Sequence, residues 1–158
     1  MTAPTPREGG RVLLLDPDDR LLLIHERIDD GTTHWLTPGG GIEAGETAAE
    51  AAVRETWEEV GLRITLAAPD EVLTTRRRWS WDGTVYDQVD HFFVARAAAG
   101  VALRPAALTP MEQSTVLGHA WWTCDELRTT DEVLLPADLG DVVARVLDGG
   151  VRDAGGGR

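Results

Sequence analysis

Glu55, Glu58 and Glu59 stand at positions i, i+3 and i+4. On a helix that spacing sets three carboxylates side by side on one face. Like charges so placed repel by roughly a few tenths of a kcal/mol per pair, and a hard divalent cation with oxygen ligands would offset the repulsion. Arg54 precedes Glu58 by four residues and can orient or neutralise one of the carboxylates. Gly39, Gly40 and Gly41 come shortly before. Such a turn can adopt backbone geometries closed to other residues, and can aim a carbonyl at a cation or amides at a phosphate. A cation beside a phosphate-binding turn is equipment for phosphoryl chemistry, since it neutralises pyrophosphate and activates water. Taken alone, the acidic cluster reads more readily as a solvated face and the glycines as an ordinary turn; the full spacing changes that balance.

The carboxylates need a helix to hold them. Thr47 with Glu50 three residues on is a capping box, and Gly61 is a stop signal, so the spacing predicts a helix over Ala48–Val60. Ala49, Ala52, Val53, Thr56 and Val60 form its packing face. Upstream, Val12–Leu15 and Leu21–His25 flank the turn Asp16-Pro17-Asp18-Asp19 and read as a hairpin, followed by a loop opening at Asp29–Gly31. Downstream, Arg63–Trp81 carries one or two strands and Thr84–Ala97 another, joined at Asp82-Gly83. Residues 100–115 read as a loop, Gly118–Thr123 as a strand and Asp138–Leu147 as a helix. The pattern predicts an α+β fold, a sheet with a few helices packed on it. Residues 1–9 read as a flexible arm, 10–148 as one domain and 149–158 as a flexible tail.

At 158 residues, 42% apolar and 27% charged, the chain has the composition of one globular domain. Its fifteen basic residues are all arginine, which excludes lysine-dependent phosphate loops and Schiff-base chemistry. The net charge of −12 argues against a nucleic-acid polymer as partner. It leaves room for a small phosphorylated ligand, because a cation can bridge two acidic surfaces. A single cysteine, Cys124, allows no intrachain disulfide. No stretch suits a secretion signal or a membrane span, so the expectation is a cytoplasmic protein without a membrane partner.

The segment from Gly40 to Leu62, GGIEAGETAAEAAVRETWEEVGL, resembles the Nudix box. Gly40, Glu46, Arg54, Glu55, Glu58, Glu59, Gly61 and Leu62 fill its fixed positions in register. Thr56 stands where an aliphatic residue is usual, and its β-branched side chain should still pack. The lead-in Trp35–Pro38 and the later HAWWTCDEL segment also look like the family. The resemblance implies the Nudix fold, a mixed β-sheet sandwiched between α-helices with a catalytic loop–helix–loop. It implies magnesium or manganese held by Glu55, Glu58, Glu59 and the Gly39 carbonyl, with Glu58 and Glu59 at the reaction and Arg54 orienting them. Glu46 would be structural. The implied reaction is attack of activated water on a phosphorus of a nucleoside diphosphate linked to another group, of the nucleoside triphosphate, ADP-ribose or dinucleoside polyphosphate class. Family signatures for NADH, coenzyme A and isoprenoid isomerisation are missing. Family members are often dimers, so a homodimer is compatible. The alternative is a nucleotide-binding sensor without catalysis, against which the full set of box glutamates speaks.

Glu112, on the stretch before Trp121 and Trp122, is the candidate general base, ahead of Asp90 and Glu126. His34, just before the box, and Arg76 and Arg78 are candidate substrate contacts. Strand alternation sends Arg76 and Arg78 to one face, and Arg77, Trp79 and Trp81 to the other. The patch reads either as a phosphate and base site or as core tryptophans with solvated arginines. His25, His91 and His119 lack zinc-ligand spacing, and Cys124 reads as inert. Phe92 and Phe93 should point to opposite faces of the sheet.

Overall fold

Val12–Leu15 and Leu21–Leu23 have no solvent exposure at all, which marks central strands covered on both faces. The computed structural model describes residues 2–28 and 30–149. In chain order the elements are β1 (Thr5–Leu15), β2 (Leu21–Arg27), β3 (Thr33–Leu36), β4 (Gly39–Gly41), α1 (Ala48–Val60), β5 (Leu73–Trp81), β6 (Thr84–Arg96), α2 (Pro110–Thr115), β7 (Val116–Trp122), α3 (Cys124–Thr129), β8 (Leu134–Leu135) and α4 (Leu139–Asp148). The strands form one mixed sheet in the order β5-β6-β1-β2-β3-β8, with β4 paired to β1 and β7 to β2.

Two cores cover the two faces. Leu13, Leu15, Leu21, Leu23, Phe92 and Val94 pack with Leu127 of α3 and with Leu139, Val142 and Val143 of α4. Val12, Leu14, Leu22, Ile24 and Ala95 pack with Val60 of α1. The sheet is therefore sandwiched between helices, as the resemblance to the Nudix family implied. Phe92 and Phe93 are both buried, their neighbouring positions turning them to opposite faces.

Residues 5–9, expected in a flexible arm, instead belong to β1. They extend a parallel ladder with β6 that runs from Thr5 beside Tyr86 to Leu15 beside Arg96. Parallel pairing uses backbone groups, so the polar stretch TPREGG carries no apolar alternation to betray it. Residues 150–158 of the expected tail, and Asp29 of the expected loop, lie outside the described residues. The loop expected over 100–115 contains α2, started by a capping box between Thr109 and Glu112. Among the described residues, no helix is long and apolar enough to cross a membrane.

α1 has the predicted bounds and caps. Glu50 N donates to Thr47 Oγ1 at 3.1 Å and Thr47 N to Glu50 Oε2 at 2.8 Å. Gly61 closes the helix at φ 75°, where a Cβ would come within 1.9 Å of the Arg104 carbonyl oxygen. Thr56 is fully buried and its hydroxyl donates to the Ala52 carbonyl at 2.7 Å. The hydroxyl is thus satisfied inside the helix, and the departure from an aliphatic residue leaves no buried polar group unpaired.

Candidate active site

β1 and β2 share one residue pair, Leu15 with Leu21, and then part. β4 lies along β1 in the opening, and a cavity of about 540 Å³ occupies the cleft. Its walls come from β1, β2, β3, β4, α1, α2, β5 and the segment around β8.

α1 brings Glu59 to the wall of this cavity with Glu55 close beside it, and the glycine strand lets them come close. A Cβ on Gly40 would lie 2.5 Å from the Glu55 carboxylate and would displace it from its present position. The Gly39 amide donates to Glu59 Oε2 at 3.0 Å. α2 supplies Glu112 from across the cleft. One carboxylate oxygen each from Glu55, Glu59 and Glu112 lies within 4.8 Å of the others. Glu58 stands beside this trio with its Oε2 accepting from Arg54 Nη1 at 3.1 Å.

Arg54 ties the turn to the helix. Its Nε donates to Glu46 Oε2 at 2.8 Å, Nη1 to Glu55 Oε1 at 2.9 Å and Nη2 to the Gly41 carbonyl at 2.9 Å. It is a positioning residue, and Glu46 is its anchor. The hydrogen bond to Glu46, more than any other contact, raises the Arg54 pKa above its already high value.

Burial pushes the Glu59 carboxyl well above the ordinary range, and the nearby Glu55 charge adds to this; the Gly39 amide and Arg11 oppose it. Burial raises Glu55 too, with Arg54 compensating only in part. Three oxygen donors this close, two of them desolvated, suit a hard divalent cation. Without a cation, folding stability should fall as pH rises from the ordinary glutamate range through the raised values, because the folded state holds protons that the unfolded chain releases. Magnesium should therefore raise Tm at pH 7 and do so less at pH 5. At a hundredfold excess over Kd the gain is about 2.7 kcal/mol, and about 2–4 °C of Tm accompanies each kcal/mol in a chain this size. Scanning calorimetry with and without EDTA at both pH values checks this; an equal shift at both would contradict it.

A second polar cluster lies beside the first. Arg11 Nε sits 3.0 Å from Asp90 Oδ2, and Arg11 Nη1 donates to the Thr37 carbonyl at 2.8 Å. Gln88 Nε2 donates to Asp90 Oδ1 at 2.8 Å, and Arg77 Nε lies 3.6 Å from Asp90 Oδ2. Two guanidinium groups thus share one buried carboxylate, which leaves positive charge facing the cavity. Burial alone would raise Asp90, but Arg11 and then Arg77 outweigh it and hold the carboxyl below its ordinary value. Burial, helped by the Arg11 charge, lowers Arg77 to about 10.

The arginine strand divides as its alternation predicted. Arg76 and Arg78 turn outward on β5 and are exposed, while Arg77, Trp79 and Trp81 turn inward. Arg76, bonded to Asp87 through Nε at 2.8 Å, is not among the residues that line the cavity, whereas Arg78 is. Trp79 is half-buried and not a core residue: it stacks on Tyr86 with centroids 4.6 Å apart, and the Arg7 and Arg77 guanidinium carbons lie 5.5 and 5.7 Å from its ring. Arg7, Arg11 and Arg77 were missed in the sequence because neither the TPREGG arm nor one arginine of three in a row announces its direction.

Asp90 is occupied by two arginines, which removes it as a base. Glu126 caps α3, accepting from Thr123 N at 2.8 Å as Glu112 does from Thr109 N at 2.7 Å, but of the two only Glu112 lines the cavity. His34 lies on β3, lines the cavity and sits with Nε2 3.0 Å from Glu26 Oε2. His25 stacks on Trp35 at 4.2 Å, and His91 lies between Glu71 and Glu8 at 2.5 and 3.3 Å. Cys124 donates to the Gly140 carbonyl at 3.2 Å, in keeping with a packing role.

The NUDIX domain model matches residues 5–144. The chain is similar to an RNA pyrophosphohydrolase from Sphingopyxis alaskensis, 31% identical over 101 residues, which are 57% of this chain and 62% of that one. It is similar to a putative 8-oxo-dGTP diphosphatase from Bacillus subtilis, 38% identical over 61 residues, 39% of each chain. In both cases the chain spans less than two thirds of the relative's length. The solved MutT protein from Methanosarcina mazei Go1 shares the fold, with a TM-score of 0.66 over 94% of this chain and 98% of that one, at 15% identity.

Proposed function

The chain belongs to the NUDIX family, and from that premise we propose that it is a metal-dependent pyrophosphohydrolase acting on a nucleoside diphosphate linked to another group. The observation that carries this reading is the meeting of Glu55, Glu59 and Glu112 within 4.8 Å, beside a cationic wall in one cavity. Magnesium or manganese is the cation this donor set suits; when bound it neutralises the pyrophosphate and lowers the pKa of the attacking water. Glu55 and Glu59 would hold it, with the Gly39 carbonyl and Glu58 as the further ligands of the box and Glu112 facing it from α2.

The chain's own residues supply the rest. Arg54 fixes the carboxylates against the glycine strand. Glu112, whose Oε2 accepts from Thr109 N at 2.7 Å in the capping box that starts α2, would accept the proton of the attacking water. Arg11 and Arg77 face the non-bridging oxygens of the phosphate chain, and Arg7 lies at the same wall. The apolar parts of the cavity exclude bulk water, which strengthens these contacts. We place this activity in the cytoplasm, on a small nucleotide, with the triphosphate end of an RNA as a further substrate to include because a relative carries that name.

Arg77→Ala should lower kcat/KM about tenfold to a hundredfold, mainly through KM, since it removes a charged contact to the ground-state phosphates. Arg76→Ala should stay within about twofold, because its side chain is exposed and bonded to Asp87. Steady-state kinetics on both variants checks this, and equal effects would contradict the assignment of the inward face. The reading itself is tested with nucleoside triphosphates, ADP-ribose, dinucleoside polyphosphates and a 5′-triphosphorylated RNA, each with magnesium and with EDTA. Metal-dependent cleavage of at least one is expected; tight binding of one without cleavage of any would favour a nucleotide sensor.

A further inference from the structure

Glu26 is a carboxylate in the cavity that the phosphate chemistry does not use. Strand alternation places Ile24, Glu26 and Ile28 of the β2 segment on one face. Cross-strand register sets Leu36 opposite Ile24 and His34 opposite Glu26. All five line the cavity, and Leu135 continues the apolar wall beyond Leu36. The result is a slot with aliphatic sides and one carboxylate, the shape and polarity that suit a flat heteroaromatic ring.

The carboxylate is aimed and not merely buried. His34 Nε2 lies 3.0 Å from Oε2, and the Thr115 hydroxyl approaches Oε1 at 3.4 Å. About a fifth of the Glu26 side chain remains exposed, at 22%. Among the ion pairs of the described residues, Glu26 touches His34 and no arginine; Arg11 and Arg77 act on it only at longer range, so its hydrogen-bonding edge is not taken up by a guanidinium group. An ionised carboxylate only accepts hydrogen bonds, and its two oxygens match two parallel N–H donors. Adenine opposes it with the N1 lone pair, and hypoxanthine offers one N–H where guanine offers two.

We propose that Glu26, held by His34 and Thr115 in this apolar slot, reads the paired N–H edge of a 2-amino-4-oxopyrimidine ring, the edge shared by guanine and pterins, and so sets which substrate the cavity accepts. The inference rests on the pyrophosphohydrolase reading. Thr115 and Glu112 both belong to α2, so one short helix links recognition of the ring to the carboxylate cluster.

The test is the ratio of kcat/KM values for GTP, ITP, ATP and neopterin triphosphate with magnesium. GTP or the pterin compound should exceed ITP by about tenfold and ATP by about a hundredfold, the range set by losing one or two hydrogen bonds to a charged group. Preference for one of the two leaders names the source of the ring. In Glu26→Gln, whose amide offers one acceptor and one donor, the GTP-to-ATP ratio should fall at least about tenfold. Cleavage of all four compounds at similar efficiency, or GTP equal to ITP, would overturn the proposal while leaving the hydrolase reading intact. If nothing is cleaved, calorimetric titration of GTP and ATP with calcium decides the same point: equal affinities overturn it and tighter GTP binding supports it. The wild-type ratios decide even if the variant does not fold.

Discussion

Glu59→Gln is expected to lower kcat about a thousandfold while the protein becomes more stable without metal. Glu59 is the carboxylate driven furthest toward its protonated form, by burial and by Glu55 beside it. The amide has the same shape and no charge to desolvate, so folding in EDTA at pH 7 should improve. The Gly39 amide keeps an oxygen to bond, which preserves the turn. The same change removes an anionic ligand from the cluster, and groups at this level of involvement are worth about 10²–10⁴ in rate. The magnesium-induced rise in Tm should largely vanish. Kinetics and calorimetry on one preparation check this. A purely structural Glu59 would lose activity and stability together, and that result would contradict the site.

Asp90→Asn should destabilise the fold by about 3–5 kcal/mol, the cost of leaving buried charge without its partner. Asp90 is 1% exposed and lies between Arg11 and Arg77. Asparagine can keep the Gln88 contact but cannot balance two guanidinium groups. Urea unfolding of the variant checks the loss. Asp87→Asn, which breaks the pair with exposed Arg76, should leave the midpoint where it was. A small effect at Asp90 would mean that the cationic wall is supported from elsewhere and that Asp90 is replaceable.

The residues that chemistry needs at fixed spacing were the readable ones. α1, both its caps and its carboxylates follow from local signals, because a helix brings together residues three and four apart. A sheet with helices packed on it followed from the apolar runs on the central strands and on α4, and the sandwich from the resemblance to the Nudix family. Helix α2 was missed although Thr109 and Glu112 carry the same capping signature as Thr47 and Glu50; its six residues offered no apolar periodicity to support it. Glu112 was still singled out, and the fold brings it to Glu55 and Glu59 across more than fifty residues of chain. The cationic wall was not readable. Arg7 and Arg11 sit on β1, Arg77 on β5 and Asp90 on β6, and it takes both the parallel ladder between β1 and β6 and the antiparallel ladder between β5 and β6 to make neighbours of them. The alternation of Arg76 and Arg78 against Arg77, Trp79 and Trp81 was readable, but which set turns inward depends on what the sheet packs against, and no local signal records that.

The most direct test of the central claim is isotopic. Hydrolysis of the preferred nucleotide with magnesium in water enriched in oxygen-18, followed by mass spectrometry of both products, shows where water attacks. The account predicts one labelled oxygen on a phosphate of one product, none on the other, and no turnover in EDTA. Label in neither product, or turnover that persists in EDTA, would contradict water attack at phosphorus supported by the Glu55–Glu59–Glu112 cluster.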